Sequence, residues 1–322
     1  MSTDISPGPT PTAPPPTTAK PVVQPGDRVF SGMAKGSGIL ILLVLAGVAA
    51  FLLAQALPAL TAPAEDVQGG GGFAVYVVPL VFGTLLAAFI ALIIATPLAV
   101  AVALFITHYA PRRLAQALGY VVDLLAAVPS IVYGLWGAYT LAAASVPLLA
   151  WLEANLGFIP LFAGPASNTG RAMLVVGVVL AIMILPIITA VSREVFMQTP
   201  KLHEEAALAL GATRWEMIRM AVLPFGRSGI ISGAMLGLGR ALGETMAVAL
   251  VLSVSGGITF NLISNGNPAT IAANIALQFP EASGLDVNVL IASGLVLFLI
   301  TLAINSLARY IVNRRREFSG AN

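Results

Sequence analysis

The 322-residue chain contains no cysteine, only two histidines and few charged residues. The absence of cysteine excludes a disulfide scaffold, a Cys-ligated zinc site and an iron–sulfur cluster. His108 and His203 alone cannot form a His-rich metal site, so we expect no metal. Charged residues make up 9% of the chain, compared with about 25% in a typical soluble protein. No cluster of Lys and Arg suits a nucleic acid, so no nucleic-acid partner is expected.

Hydrophobic residues, in contrast, make up 58% of the chain. A compact soluble domain of this size could not bury so many apolar side chains, which excludes an ordinary cytosolic enzyme and a disordered protein. Runs of about 20 apolar residues span a bilayer as helices. The sequence therefore predicts an all-α polytopic membrane protein. Its uncharged stretches predict six spans, at about residues 38–60, 78–106, 117–146, 172–197, 228–255 and 288–312.

The proline distribution predicts how the chain is divided. Residues 1–27 hold eight of the 22 prolines and almost no large apolar groups, which is typical of a disordered segment. Gly69–Gly72 and Pro79 predict an outer linker and an interfacial segment before the second span, and Pro97 and Pro129 predict bends. The predicted regions are a disordered tail (1–36), a first span with its linker (37–75), a membrane core (76–315) with an inner loop (198–227), and a second tail (316–322).

The basic residues predict the orientation, because cytoplasmic segments carry an excess of Lys and Arg. With the N-terminus inside, 14 of the 16 basic residues lie in cytoplasmic segments. Arg171 is then the one basic residue outside, and Arg240 lies within a span. Six spans therefore predict a multi-pass protein of the plasma membrane with both termini in the cytoplasm.

The inner loop before the fifth span has the pattern of a helix–turn–helix. Glu204–Leu210 is a run of strong helix formers, and Gly211 can end it with a positive φ. Thr213, with Glu216 three residues later, predicts a capping box at the start of a second helix. Such a compact amphipathic segment would fit a groove on a soluble partner. The alternative is a packed inner loop without a partner.

The same loop resembles a known signature. Its residues Glu205-Ala206-Ala207, Gly211 and Ala221-x-Leu223-Pro224 follow the pattern E-A-A-x3-G-x9-I-x-L-P, with Ala221 in place of Ile. This pattern resembles the EAA signature of binding-protein-dependent ABC importer permeases. The resemblance implies that Glu205, Ala206, Ala207, Gly211 and Pro224 belong to a coupling helix that docks on an ATP-binding subunit.

Arg240 is the charged residue that the fifth predicted span places in the membrane. A helix from Ser228 would put Arg240 about 18 Å along its axis, near the middle of the apolar layer. An arginine there costs about 2.5–3.5 kcal/mol or more, and Glu244 at i+4 could partly neutralise it. The pair could lock two helices together or serve as a polar station for a transported oxyanion. Surrounding glycines would permit close helix packing or leave room for a small solute.

The segment Gly239-Arg240-Ala-x-Gly243-Glu244-Thr245-Met-Ala resembles phosphate-specific ABC permeases. The segments Val128–Gly137, Phe82-Gly-Thr84 and His108–Pro111 are also similar to that family. The likeness covers about residues 75–315 and favours the C-type over the A-type subunit. It implies a five-helix type I importer core, preceded here by one extra span, with Arg240, Glu244 and Thr245 in the phosphate path.

Three further polar residues are candidates for the path or for gating: Asp123, Ser130 and Tyr133. Asp123 could lie within the membrane or at the inner interface, if residues 112–122 form a surface helix. Ser130 and Tyr133 flank the predicted bend at Pro129. The alternative for Asp123 is a local hydrogen bond or ion pair, and the alternative for Ser130 and Tyr133 is a structural kink. The outer loop 153–170 could re-enter the membrane or contact an external protein.

The resemblance implies the permease subunit of an ATP-driven phosphate importer, which catalyses no covalent step itself. Its implied partners are a homologous second permease, two P-loop ATPase subunits, an extracytoplasmic phosphate-binding protein, phosphate and membrane lipid. ATP and Mg²⁺ would bind to the ATPase subunits, since this chain has no G-x-x-x-x-G-K-[ST] motif and we expect no cofactor in it. The alternatives are the A-type subunit, a permease for molybdate or sulfate, or a transporter or channel that acts alone.

Overall fold

The computed structural model describes the backbone of residues 25–316 and the side chains of residues 26–310. This part of the chain folds into helices joined by turns and irregular segments. The α-helices are α1 (Pro25–Thr61), α2 (Gly72–Leu104), α3 (Arg112–Ala126), α4 (Ser130–Trp136), α5 (Ala142–Leu156), α6 (Met173–Met197), α7 (Lys201–Ala209), α8 (Arg214–Met217), α9 (Leu223–Leu242), α10 (Met246–Val251), α11 (Ile271–Gln278) and α12 (Leu285–Arg316). Short π-helical segments extend α2 and join α4 to α5 and α8 to α9.

Six helical segments among the described residues are long and apolar enough to cross a membrane. They are Gly26–Thr61, Gly72–Tyr109, Ser130–Leu156, Met173–Met197, Arg214–Leu242 and Leu285–Tyr310. The predicted fold class, an all-α protein with six spans, is therefore confirmed. The fourth span agrees best with its prediction, because charged residues border this apolar run closely on both sides.

The first helix begins earlier than the sequence predicted. Among the described residues, the part of α1 up to Phe51 belongs to one unit, and the residues from Leu52 onwards belong to a second unit. Of the predicted disordered tail (1–36), residues 1–24 lie outside the described residues. Residues 25–36 are helical instead, so this part of the prediction was wrong. The fixed φ of a proline suits the first turn of a helix, where Pro25 lies. The next proline in the helix is Pro58.

The second and third spans differ from their predicted bounds. Residues 72–78 already belong to α2 instead of forming an interfacial segment, and Phe73 and Tyr76 pack on a buried cluster that includes Val289. The predicted third span, 117–146, is divided before Pro129. The part before the division, α3, is a separate, strongly amphipathic helix. A proline disfavours the helical conformation of the residue before it, which explains why α3 ends there.

The fifth span also differs from its prediction at both ends. The helical path begins at Arg214, passes through a π-helical segment at Ile218–Val222, and ends at Leu242. Pro224 cannot donate a hydrogen bond to the carbonyl of Met220, and the wider π turn accommodates this defect. Beyond Leu242, the predicted continuous helix to residue 255 is interrupted at residues 243–245, which we call the α9 break.

The core of the second unit is centred on α6, which packs mainly against α2 and α9. Gly226, Gly229 and Gly237 of α9 face α6 closely. A Cβ added to Gly229 would clash with Val195, and one on Gly237 would lie 3.0 Å from Ile188. These glycines therefore permit close packing of α9 on α6.

An irregular segment, residues 252–270, connects α10 to α11 and is held by side-chain amides. The amide of Asn267 is fully buried and donates to the carbonyl oxygens of Ser253 and Ser264. Its oxygen accepts a bond from the backbone N–H of Met173, at the start of α6. Asn261 donates to the carbonyl of Gly164 in the same way. The loop 153–170 is thus linked to residues 252–270.

Candidate functional site

Arg240 lies in the last turn of α9 and not in the middle of a helix. The guanidinium is partly buried, and its Nη1 donates a hydrogen bond of 3.4 Å to the carbonyl oxygen of Ala126, the last residue of α3. A positive charge is favourable at a helix C-terminus, where the carbonyl ends carry negative partial charge. Arg240 therefore lies near the free carbonyls of two helix ends, those of α9 and α3.

Glu244 is buried in the α9 break, with 7% of its surface exposed. Its Oε1 accepts a hydrogen bond of 3.1 Å from the backbone N–H of Ala247, in the first turn of α10. Thr245 donates to the carbonyl of Gly243 within the same break. Among residues 26–310 the ion pair between fully charged groups is Arg193–Asp123, and His108 lies near Glu204. The predicted pairing of Arg240 with Glu244 is therefore absent, because the break removes the i+4 helical register.

Tyr133 and Arg240 meet at the C-terminus of α3. The hydroxyl of Tyr133 donates a 2.9 Å hydrogen bond to the carbonyl of Leu125. The next carbonyl along the chain, that of Ala126, accepts the bond from Arg240. Ser130 is half-buried and begins α4 after Pro129. The division of the chain before Pro129 thus places Tyr133 beside Arg240, which the linear sequence does not predict.

Asp123 contacts a different partner. Its Oδ2 lies 3.4 Å from Nη2 of Arg193 on α6. The carboxylate side chain is half exposed, so the pair contributes at most about 1 kcal/mol. The predicted inner-surface alternative, an amphipathic helix over residues 112–122, agrees with α3. Asp123 therefore links α3 to α6, and the described contacts do not bring it to Arg240.

Arg240 lines a cavity of about 780 Å³ between α9 and α12, which we call the α9–α12 groove. Gly239 has no atom within 4 Å of an added Cβ, so its small size leaves open space beside Arg240. The other lining residues are Ile187, Ser232, Met235, Leu236, Asn305, Ala308 and Arg309. The sequence reasoning missed Asn305 and Arg309 as candidates. Their i, i+4 spacing on an apolar helix was the signal that could have found them.

The predicted helix–turn–helix in the inner loop is present as α7 and α8, residues 201–217, which we call the α7–α8 knob. Gly211 has a φ of +86° and follows α7. Thr213 Oγ1 accepts the N–H of Glu216, and Glu216 Oε2 accepts the N–H of Thr213. The predicted capping box is thus confirmed. Pro224 lies in the first turn of α9.

One side of the α7–α8 knob exposes apolar side chains that no other described residue covers. Leu210 is 90% exposed, Leu202 is 75% exposed, and Trp215 is 56% exposed. Glu205 and Ala206 are also exposed, and Ala207 is half-buried. Several large apolar side chains exposed on one short segment are typical of an interaction surface.

The opposite side of the knob packs on the ends of α2 and α6. Ala103 and Leu104 of α2 form a buried cluster with Phe196, Met217 and residues of the following π turn. Nε2 of His108 lies 3.7 Å from Oε1 of Glu204 on α7. The hydroxyl of Thr107 lies 2.7 Å from Nδ1 of His108, within hydrogen-bond distance, and donates to the carbonyl of Ala103. A packed and polar contact therefore joins α7 to the second span, and the sequence did not predict the His108–Glu204 contact.

Residues 95–317 match the protein family described as "Binding-protein-dependent transport system inner membrane component".

The chain belongs to this family of transport-system membrane components. It is therefore a multi-pass membrane protein, and the resemblance found in the sequence is confirmed. All the candidate residues discussed above, from Asp123 to Arg309, lie within the matched segment.

Similar proteins carry the name phosphate transport system permease protein. The chain is 45% identical over 298 residues to PstC 2 of Mycobacterium tuberculosis, covering 89% of this chain and 91% of that protein. It is 43% identical to PstC of Mycobacterium leprae, covering 90% and 94%. It is 39% identical to PstC of Mesorhizobium japonicum, covering 92% of both.

Solved structures of ABC transporters share the fold of this family member. A bacterial alginate ABC transporter in complex with a pentasaccharide-bound periplasmic protein aligns with a TM-score of 0.60 at 15% identity, covering 92% of this chain and 97% of that chain. The inward-facing methionine transporter MetNI aligns with a TM-score of 0.53 at 16% identity, covering 74% and 95%. At this identity the likeness supports the ABC importer permease fold alone.

Proposed function

We propose that this chain is the transmembrane permease subunit of an ATP-driven phosphate importer, where it forms half of the translocation path and couples to the ATPase. The similarity to phosphate transport system permeases, at 39–45% identity over about 90% of the chain, supports the substrate class and the C-type subunit. Permeases for sulfate or molybdate use the same oxyanion chemistry, so they are the competing outcomes of the test below.

The observation that carries the path role is the position of Arg240. A charged side chain in a membrane-spanning segment is costly, and a protein tolerates it where the charge faces a partner or a polar cavity. Arg240 lines the α9–α12 groove and has one hydrogen bond of 3.4 Å to a neutral carbonyl. Its remaining N–H groups can donate two parallel bonds to a tetrahedral oxyanion.

In this proposal, Glu244 favours phosphate over a fully ionised oxyanion. Its second carboxylate oxygen accepts a bond from a P–OH group when phosphate approaches the break, and it repels a fully ionised anion such as sulfate. Thr245 supplies a hydroxyl at the same break. Tyr133 holds the end of α3 beside Arg240, and Ser130, at the start of α4, stays a candidate for the path or for gating.

The coupling role belongs to the α7–α8 knob. Its exposed Leu202, Leu210 and Trp215 fit a groove on an ATPase subunit, because docking would remove this apolar surface from water. Movement of the docked knob reaches the second span through the buried cluster around Leu104 and through the His108–Glu204 contact. Alternating access of the path then follows ATP binding and hydrolysis in the partner.

The remaining partners follow from the family. Two P-loop ATPase subunits bind ATP and Mg²⁺, a homologous second permease completes the path, and an external binding protein delivers phosphate. The knob faces the cytoplasm, and so do both termini of this six-span chain. The chain itself catalyses no covalent step.

The proposal is tested by uptake of labelled phosphate into proteoliposomes that contain the complete complex and the binding protein. We expect ATP-dependent uptake that excess unlabelled phosphate abolishes and that tenfold sulfate or molybdate leaves within twofold. Uptake that sulfate or molybdate blocks would assign another oxyanion. Uptake that continues without the ATPase subunits would assign a transporter that acts alone.

A further inference from the structure

The α9–α12 groove contains a second arginine that the proposed path does not use. Arg309 lies on α12, four residues after Asn305, and both residues line the cavity with Arg240. Residues four apart lie on one helix face, so α12 presents a guanidinium and an amide to the groove together. Ser232 adds a hydroxyl from α9.

The charge in this groove is unbalanced. Its lining residues include two arginines and no Asp or Glu. Among residues 26–310 neither Arg240 nor Arg309 forms an ion pair, and Glu244 bonds to the N–H of Ala247. Arg240 is partly buried, whereas Arg309 and Asn305 are exposed. The two like charges in one cavity repel each other, and an anion bound between them would reduce this repulsion.

The donor chemistry indicates which anion the groove would accept. A guanidinium matches the geometry of two oxygens of a phosphoryl group and can bind them at once. The amide of Asn305 and the hydroxyl of Ser232 can each donate to an oxygen or accept from a P–OH group. The open space at Gly239 and the volume of about 780 Å³ leave room for such a group next to Arg240.

We propose that Arg309 and Asn305, together with Arg240, form a two-arginine site for a phosphoryl oxyanion in the α9–α12 groove. The oxyanion is either transported inorganic phosphate, which Arg240 passes towards Arg309, or the phosphate of a lipid headgroup. The first form deepens the proposed function and rests on it. The second does not depend on transport.

The test compares R309Q, R309K and N305D with wild type in the complete reconstituted complex. If the bound oxyanion is transported inorganic phosphate, R309Q lowers the maximal uptake rate of labelled phosphate at least tenfold, with all subunits still co-purifying. R309K restores part of the rate, because it keeps the charge and loses the bidentate fork. N305D, which is nearly isosteric, lowers the rate at least as much as R309Q by adding a negative charge to the groove. If the R309Q complex does not assemble, N305D provides the test instead.

The control is R112Q, which removes a positive charge from an exposed residue outside the groove and keeps wild-type uptake within twofold. Native mass spectrometry of the purified complexes gives the second arm. Loss of co-purified anionic phospholipid in R309Q, with phosphate uptake unchanged, assigns the site to a lipid headgroup. If R309Q and N305D change neither uptake nor bound phospholipid, the site does not exist. Absence of phosphate uptake in wild type would instead contradict the proposed function, and the lipid arm would still decide this inference.

Discussion

Two short helices of this chain begin with the same device in opposite surroundings. At α8, the hydroxyl of Thr213 accepts the N–H of Glu216, three residues later, and both residues are exposed. At α10, Glu244 accepts the N–H of Ala247, and both residues are buried. Water can replace a lost bond at the exposed cap, whereas a buried N–H that loses its acceptor keeps the full cost of desolvation. The cap of α8 therefore shapes a docking surface, and the cap of α10 holds a break inside the core.

The largest effect is expected at the buried cap. Glu244→Ala should lower the free energy of unfolding by about 1–3 kcal/mol, because the N–H of Ala247 loses its acceptor in a buried place. Thermal unfolding of the purified complex measures this change. Glu244→Gln keeps an acceptor oxygen and serves as the matched control, with less than half of that loss. Equal stability of E244A and wild type would show that the carboxylate does not hold the α9 break.

A smaller effect on stability, with a specific effect on assembly, is expected at Gly211. An L-residue at its φ of +86° costs about 1–2 kcal/mol, and no neighbouring atom would obstruct the added side chain. Gly211→Val should therefore distort the α7–α8 knob and reduce both the co-purification of the ATPase and phosphate uptake about tenfold.

Gly69→Val is the control for Gly211→Val. Gly69 has a φ of +93° and the same open surroundings, but it lies before the family segment 95–317. It should keep ATPase binding at the wild-type level. Normal ATPase binding by G211V would refute the docking role of the knob.

The smallest effect is expected at the exposed cap. Thr213→Ala should cost about 1 kcal/mol, since water can solvate the N–H group that the hydroxyl now satisfies. The measurement is again thermal unfolding, with Thr213→Ser as a control that retains the hydroxyl. If T213A proves as destabilising as E244A, the contrast between exposed and buried caps is wrong.

The sequence predicted features whose cause is local. The capping box of Thr213 and Glu216, the turn at Gly211 and the bounds of α6 each depend on a few adjacent residues or on one apolar run. Six spans followed from the same uncharged runs. These features need no knowledge of what packs against them.

The sequence failed where distant residues decide the structure. An uncharged run continues after Glu244, so hydropathy alone predicted one helix across residues 228–255. The break at residue 243 instead brings Arg240 to Ala126, which is 114 positions away in the chain. The division of the third predicted span before Pro129 makes that contact possible. From the sequence, Arg309 served only to predict the membrane orientation. The groove that it shares with Arg240 depends on how α9 and α12 pack.

The most direct test of the path role is phosphate uptake by Arg240→Gln in proteoliposomes that contain the complete complex, the binding protein and ATP. Glutamine keeps a polar amide but removes the charge that faces the α9–α12 groove. We expect at least a hundredfold loss of labelled phosphate uptake, with every subunit still co-purifying. Uptake within twofold of wild type would contradict a role for Arg240 in the translocation of phosphate.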